Sequence, residues 1–108
     1  MGSANQSVRK VDTTLLSEVT NPTIYNKAVA TANTEVSQVL SSNVKRFLVR
    51  CRESATLKLA YNSGESGTKF ITLKPHTVYN EEGLNATSLT LFLQSDVAGV
   101  TVEIVEWA

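Results

Sequence analysis

The stretch Ala55-Thr56-Leu57-Lys58-Leu59-Ala60-Tyr61 alternates between two faces with a period of two. Leu57, Leu59 and Tyr61 fall on one face of an extended chain, which is the pattern of a half-buried β-strand and not of a helix. Three further stretches show the same rhythm. They are residues 44–52, 88–94 and 100–104. In the first of these, Phe47, Val49 and Cys51 are predicted to face inward.

Weaker alternation raises the expected number of short strands to about eight. These weaker stretches are residues 24–30, 35–40, 69–73 and 76–79. Residues 31–40 also contain apolar spacing that fits a helix, but their Thr, Val and Asn content favours a strand. Short strands with one polar face each, separated by turn-forming residues, predict an all-β fold. We expect an antiparallel β-sandwich that is jelly-roll-like, with sheets packed on one side only.

The beginning of the chain differs from the rest. Residues 3–12 are polar, and the Thr-rich run that follows is too short for a stable helix of its own. We therefore expect a flexible, extended N-terminal arm over residues 1–22 and one β-sandwich domain over residues 23–108. The candidate partner-binding residues of the arm are Arg9, Lys10, Leu15 and Leu16.

Charge and hydropathy exclude some classes of partner. The 108-residue chain has ten basic and ten acidic side chains, so its formal net charge is zero. Domains that bind nucleic acid usually carry a basic surplus, so no nucleic-acid partner is expected. No apolar run approaches the ~20 residues of a membrane-crossing helix, so no membrane partner is expected either. A net charge of zero adds little repulsion between copies and so permits their association.

The residues that could carry chemistry are few. Cys51 and His76 are the single cysteine and the single histidine, too few for a zinc site within one chain. We interpret Cys51 as a buried strand residue and His76 as a turn residue, and the acids Glu81, Glu82 and Asp96 as solvated rather than as calcium ligands. We therefore expect no enzyme and no catalytic, cofactor-binding or metal-binding residue. The alternative, a hydrolase, needs His76 and either Cys51 or a carboxylate in one pocket.

Arg46, Arg50 and Arg52 share strand parity and could form a basic stripe that binds acidic groups of a partner. The alternative is ordinary cross-strand ion pairing. The acids considered for that pairing are Glu103, or Glu106 together with Glu53.

Two aromatic residues complete the candidate contact residues. Phe92 has the parity opposite to Leu91, and Trp107 follows the last alternating stretch. They either cover a second core layer or belong to a contact surface. We expect a contact with another chain or with the N-terminal arm.

The whole pattern of residues 24–108 resembles small virion proteins encoded among the structural genes of tailed bacteriophages. The stretches that carry the resemblance are residues 45–61, 64–73, 91–95 and 102–107. It implies a non-enzymatic β-sandwich in the virion, assembled in the host cytoplasm. The function it favours is a capsid decoration or cement protein that binds the outer capsid lattice and stabilises it, with a neck or tail position as an alternative.

The resemblance also implies partners. They are the major capsid protein or another virion protein, and further copies of the chain, with a trimer favoured and a dimer as the alternative. An N-terminal arm that reaches neighbouring subunits fits the polar beginning of this chain. The alternative function is a carbohydrate-binding adsorption module on a tail or fibre, which requires an exposed aromatic platform.

Overall fold

The computed structural model describes residues 22–108, and within them the fold consists of strands without helices. The strands are β1 (Thr23–Val29), β2 (Val36–Val39), β3 (Arg46–Cys51), β4 (Leu57–Ala60), β5 (Ile71–Leu73), β6 (Val78–Glu81), β7 (Thr90–Ser95) and β8 (Val100–Trp107). The arm predicted over residues 1–22, with Arg9, Lys10, Leu15 and Leu16, lies outside the described residues except for Pro22.

The strands form two four-stranded antiparallel sheets, in the orders β1-β8-β3-β6 and β2-β7-β4-β5. The first strand pairs with the last, the second with the seventh, the third with the sixth and the fourth with the fifth. This is the connectivity of a jelly roll, in which one long hairpin is wrapped into two facing sheets. The prediction of an antiparallel, jelly-roll-like sandwich of about eight strands is confirmed.

The core lies between the sheets. It is formed by the side chains that the period-two pattern of the sequence predicted to face inward. Phe47, Val49 and Cys51 are buried, as predicted. The other strands contribute Leu57, Leu59, Leu91, Leu93, Val100, Val102 and Ile104. Burying one such aliphatic or aromatic side chain contributes about 1.5–3 kcal/mol, so these residues are a main source of the stability of the sandwich.

Residues 36–39 form a strand and not a helix, because β7 offers them a partner. Val36 lies opposite Leu93 in the register, and both face the core. The backbone N–H of Leu40 also donates to the Leu89 carbonyl, which continues the pairing past the strand end. The left-handed φ of 56° at Asn33 forms the turn before β2, a conformation that asparagine tolerates.

β6 begins later than the alternation suggested. His76 has a φ of 64° and belongs to the turn that follows Pro75, so the strand starts at Val78. Thr77 closes this turn by donating its hydroxyl hydrogen bond to the Lys74 carbonyl at 2.6 Å. The interpretation of His76 as a turn residue agrees with this geometry.

The second sheet is covered on its outer side at one end, so the expectation of sheets packed on one side only is wrong there. Gln94 points outward from β7, yet it is buried, because its side-chain amide donates to the Ser66 carbonyl at 2.9 Å. The Glu35 carboxylate accepts hydrogen bonds from the Gly64 N–H, the Ser66 N–H and the Ser66 hydroxyl. The Ser66 hydroxyl bond, followed by the Gly64 bond, lowers the pKa of Glu35. The loop after β4 is thereby fastened across this sheet.

Candidate interaction surface

The outer side of the sheet β1-β8-β3-β6 carries most of the candidate contact residues that the structure describes. We name it the β8 face and define it by three rows of side chains that cross the strands. The rows are Arg46 and Trp107; Ile24, Val105, Leu48 and Asn80; and Asn26, Glu103, Arg50 and Val78.

The middle row is apolar on three of its four strands and ends at Asn80 on β6. Ile24, Val105 and Leu48 lie directly opposite one another on three adjacent strands. Ile24 is 64% exposed, and Val105 and Leu48 are half-buried although they point away from the core. Single exposed apolar residues are ordinary, but adjoining ones are typical of contact surfaces. The sequence signal was available, because an apolar residue at outward parity, such as Leu48 between Phe47 and Val49, has no core to enter.

The first row is a stacked pair. Arg46 and Trp107 are register partners, and the Arg46 guanidinium carbon lies 3.9 Å from the centre of the Trp107 ring. A cation–π contact at an exposed site contributes about 0.5–1 kcal/mol. Arg46 therefore covers one face of the ring, and the pair presents a combined flat and charged surface.

The ion pairs join the third row to Arg52, which directly follows β3. Arg50 and Arg52 each bring their Nε atom within 3.0 Å of an oxygen of Glu103. Arg52 also donates to the side-chain oxygen of Asn26 at 3.2 Å. Because one carboxylate serves two guanidinium groups, this cluster keeps an excess of one positive charge. Both arginine side chains are about half exposed, so each pair contributes roughly 0–1 kcal/mol to stability.

Of the two alternatives for cross-strand pairing, the one with Glu103 is confirmed for Arg50 and Arg52, and the one with Glu106 and Glu53 is wrong. Glu106 points into the sandwich, where it is buried and accepts hydrogen bonds from the Tyr25 hydroxyl and the Ser41 N–H, each at 2.8 Å. Glu53 accepts a hydrogen bond from the backbone N–H of Thr101. The parity of Glu106, shared with the inward-facing residues of β8, was the signal for its inward direction.

The structure separates Phe92 from the other candidates. Phe92 is half-buried on the outer side of the second sheet, where its register partners are Ser37 and Ala60. Trp107 and Arg46 lie on the outer side of the first sheet, across the core. The candidate residues therefore do not form one patch.

One form of the hydrolase alternative requires Cys51 and His76 in one pocket. They line a cleft of about 140 Å³ together with Arg50, Arg52, Thr77 and Val78. This volume is below the ~300 Å³ at which pockets for small organic ligands begin. Burial raises the pKa of the Cys51 thiol, which disfavours the thiolate that nucleophilic chemistry requires. The cleft therefore brings together the residues of a thiol site without activating the thiol.

The acidic residues that were considered as calcium ligands accept hydrogen bonds from the protein itself. Asp96 accepts a hydrogen bond from the Thr56 N–H, and Glu81 accepts one from the Tyr79 hydroxyl. Among residues 22–108, no group of three or more His, Cys, Asp or Glu side chains is placed to hold a metal ion. The same part of the chain contains no helix long and apolar enough to cross a membrane.

Comparisons with known proteins bear on the fold. No protein-family model matches the chain, and no curated protein matches it. Among solved structures, the chain is similar to a de novo designed double-stranded β-helix determined by solution NMR, with a TM-score of 0.51 and 13% sequence identity. The match covers 82% of this chain and 100% of the designed one. At this identity the similarity shows a shared fold and nothing about function.

Proposed function

We propose that this chain is a non-enzymatic virion protein of a tailed bacteriophage, a capsid decoration or cement protein that binds the outer capsid lattice and stabilises it. The resemblance of residues 24–108 to such proteins supports the particle as its location. The observation that carries the proposal of a docking role is the apolar row of Ile24, Val105 and Leu48 on the outside of a sheet.

The chemistry of the β8 face favours a protein partner. Arginine and tryptophan are enriched among residues that dominate binding energies, and Arg46 and Trp107 border the apolar row. The extra positive charge beside Glu103 suits a carboxylate of the partner, which arginine binds in a bidentate manner. The proposed partner is the major capsid protein, with another virion protein as the alternative.

Weak binding by one copy is sufficient in this role. A homo-oligomer that touches several lattice points gains about 10²–10⁴ in avidity over a single contact. The sequence-based expectation of a trimer, with a dimer as the alternative, belongs to this proposal. The N-terminal residues 1–22 are proposed to add contacts to neighbouring subunits, at an ordering cost that the interface offsets.

The test uses capsids that lack this protein. Purified chain should cosediment with them and raise their melting temperature. Leu48→Lys places a charge in the centre of the apolar row and should weaken binding at least tenfold. Val39→Lys is the matched control, because Val39 is an exposed apolar strand residue on the other sheet, 63% exposed. Circular dichroism of both variants establishes that the fold is retained.

Two outcomes would contradict the proposal. One is equal binding of the Leu48→Lys variant and the unaltered chain, and the other is an equal loss of binding in both variants. Binding to polysaccharides on a glycan array, without binding to capsids, would favour the carbohydrate-binding alternative. That alternative is less favoured on the β8 face, because the Arg46 guanidinium already occupies one face of the Trp107 ring.

A further inference from the structure

β1 is the longest of the four strands that form the edges of the two sheets. It has seven residues, whereas the other edge strands, β2, β5 and β6, have four, three and four. It contains no proline, and Lys27 is its single charged residue. Within residues 22–108, no strand occupies its outer side. Long edge strands that lack proline and carry few charges are templates for the addition of another strand.

The register identifies which backbone groups of β1 are open. The Thr101 carbonyl accepts the Arg52 N–H on the β3 side of β8. Backbone N–H and C=O groups alternate in direction along a strand. Those of Val102 are therefore directed the other way, toward its partner Lys27 in β1. Lys27 and every second residue from it are therefore bonded to β8. The alternate residues Ile24, Asn26 and Ala28 direct their N–H and C=O groups to the open edge.

We infer that two copies of this chain pair antiparallel through their β1 strands, about a two-fold axis at Asn26. Residues 24 and 28 lie at equal distances on either side of Asn26. In this arrangement the open N–H groups at positions 24, 26 and 28 of one copy meet the carbonyl groups at 28, 26 and 24 of the other. Every open group of the strand is then satisfied, and the two sheets become one continuous sheet.

The side chains are compatible with this register. Ile24, which is 64% exposed, faces Ala28 of the second copy and loses part of its contact with water. Asn26 lies opposite Asn26 of the second copy, and the two side-chain amides can exchange hydrogen bonds. Lys27 faces Tyr25, so no like charges lie directly opposite each other. Pro22 precedes the strand and has no N–H group, so it leaves no open donor at that end of the paired segment.

A second copy is the occupant that these observations favour, because the side chains of β1 are self-complementary in this register. Apolar Ile24 lies opposite apolar Ala28, and no like charges lie opposite each other. The net charge of zero adds no general repulsion between copies. A two-fold axis closes on two copies, so this contact predicts the dimer rather than the trimer. The inference concerns the free protein and does not depend on capsid binding.

The first experiment measures association of the full-length chain in solution by sedimentation equilibrium. The double variant Ile24→Lys/Ala28→Lys places lysines opposite each other twice across the axis and should raise the dimer dissociation constant at least tenfold. The matched variant Ile24→Lys/Ala28→Glu places opposite charges at the same points and should restore the dimer. An unaltered chain that is monomeric, or an assembly that both variants leave unchanged, would overturn the inference.

The second experiment tests the axis by disulfide trapping. Backbone-paired residues opposite each other lie about 5.5 Å apart between Cα atoms, within the range that a disulfide spans. Asn26→Cys should therefore yield a covalent dimer on mild oxidation. In Ala28→Cys, the introduced thiols are offset by four residues, roughly 13 Å, and should not link. The buried Cys51 is present in both variants. Equal trapping of the two variants, or trapping of neither, would contradict the proposed register.

Discussion

The Tyr25 hydroxyl donates a 2.8 Å hydrogen bond to the Glu106 carboxylate inside the sandwich. Ser41, just after β2 of the second sheet, donates its backbone N–H to the same carboxylate oxygen at 2.8 Å. The edge strand β1, the last strand β8 and the corner after β2 therefore meet at one buried charge. A carboxylate in this position is tolerated because one donor from β1 and one from the corner after β2 satisfy it.

Acid should weaken this connection. Burial disfavours the charged form of Glu106, but the hydrogen bonds from Ser41 and Tyr25 outweigh it and hold the pKa of the carboxyl below its usual value of 4.5. Its contribution to stability is therefore present above pH 4.5 and is lost as the pH falls through the lower folded pKa. We expect Glu106→Gln to lower the free energy of unfolding by about 1–3 kcal/mol at pH 7 and to flatten its acid dependence. Urea unfolding from pH 7 to pH 3 measures both.

Glu35 provides the matched comparison for that experiment. Its pKa is also lowered, mainly by the Ser66 hydroxyl, but it fastens a surface loop. Glu35→Gln should remove a separate part of the acid dependence, and the two losses should add, because the sites share no partner. An acid dependence in Glu106→Gln identical to that of the unaltered chain would contradict the assignment of Glu106.

Phe47 should be the most sensitive position of the core. It is fully buried and packs edge-on against Tyr61, with ring centres 6.5 Å apart. Phe47→Ala should destabilise the fold by about 3–5 kcal/mol through lost burial and a residual cavity. The control is Phe70→Ala, because Phe70 is 37% exposed and contacts Lys58 at the surface. Denaturant unfolding that gives equal losses for the two variants would refute this placement of the core.

The Cys51 thiol should be inert in the folded protein. Burial raises the pKa of Cys51, so both access and the thiolate fraction are reduced. A thiol-specific chromogenic reagent at pH 8 should react slowly with the native chain and rapidly in denaturant. Val39→Cys supplies an exposed thiol for comparison, because Val39 is 63% exposed on the other sheet. Rapid modification of Cys51 in the native chain, lost in a His76→Ala variant, would instead support the hydrolase alternative.

Removal of residues 1–22 separates folding from capsid binding. Because the described strands begin at Thr23, the shortened chain should keep its denaturation midpoint. Its affinity for capsids should fall about tenfold or more, which corresponds to about 1.4 kcal/mol or more. Titration of capsids with both chains measures the difference. Undiminished affinity of the shortened chain would show that these residues are not a binding arm.

The alternation of side chains determined the strands and their inner faces. Phe47, Val49 and Cys51 were correctly assigned to the core, because side-chain direction in a strand depends on local backbone geometry. Parity also grouped Arg46, Arg50 and Arg52 on one outer face. These features require no knowledge of distant residues.

Only the tertiary structure decided which strands are neighbours. The pairing of β1 with β8 places Tyr25 against Glu106, 81 positions later in the chain. The division into two sheets separates Phe92 from Trp107, although both were candidate contact residues. Contacts of this kind depend on which strands pair, although they are far apart in the sequence. Alternation within a strand sets the direction of each side chain, but it contains no information about the strand that will lie beside it.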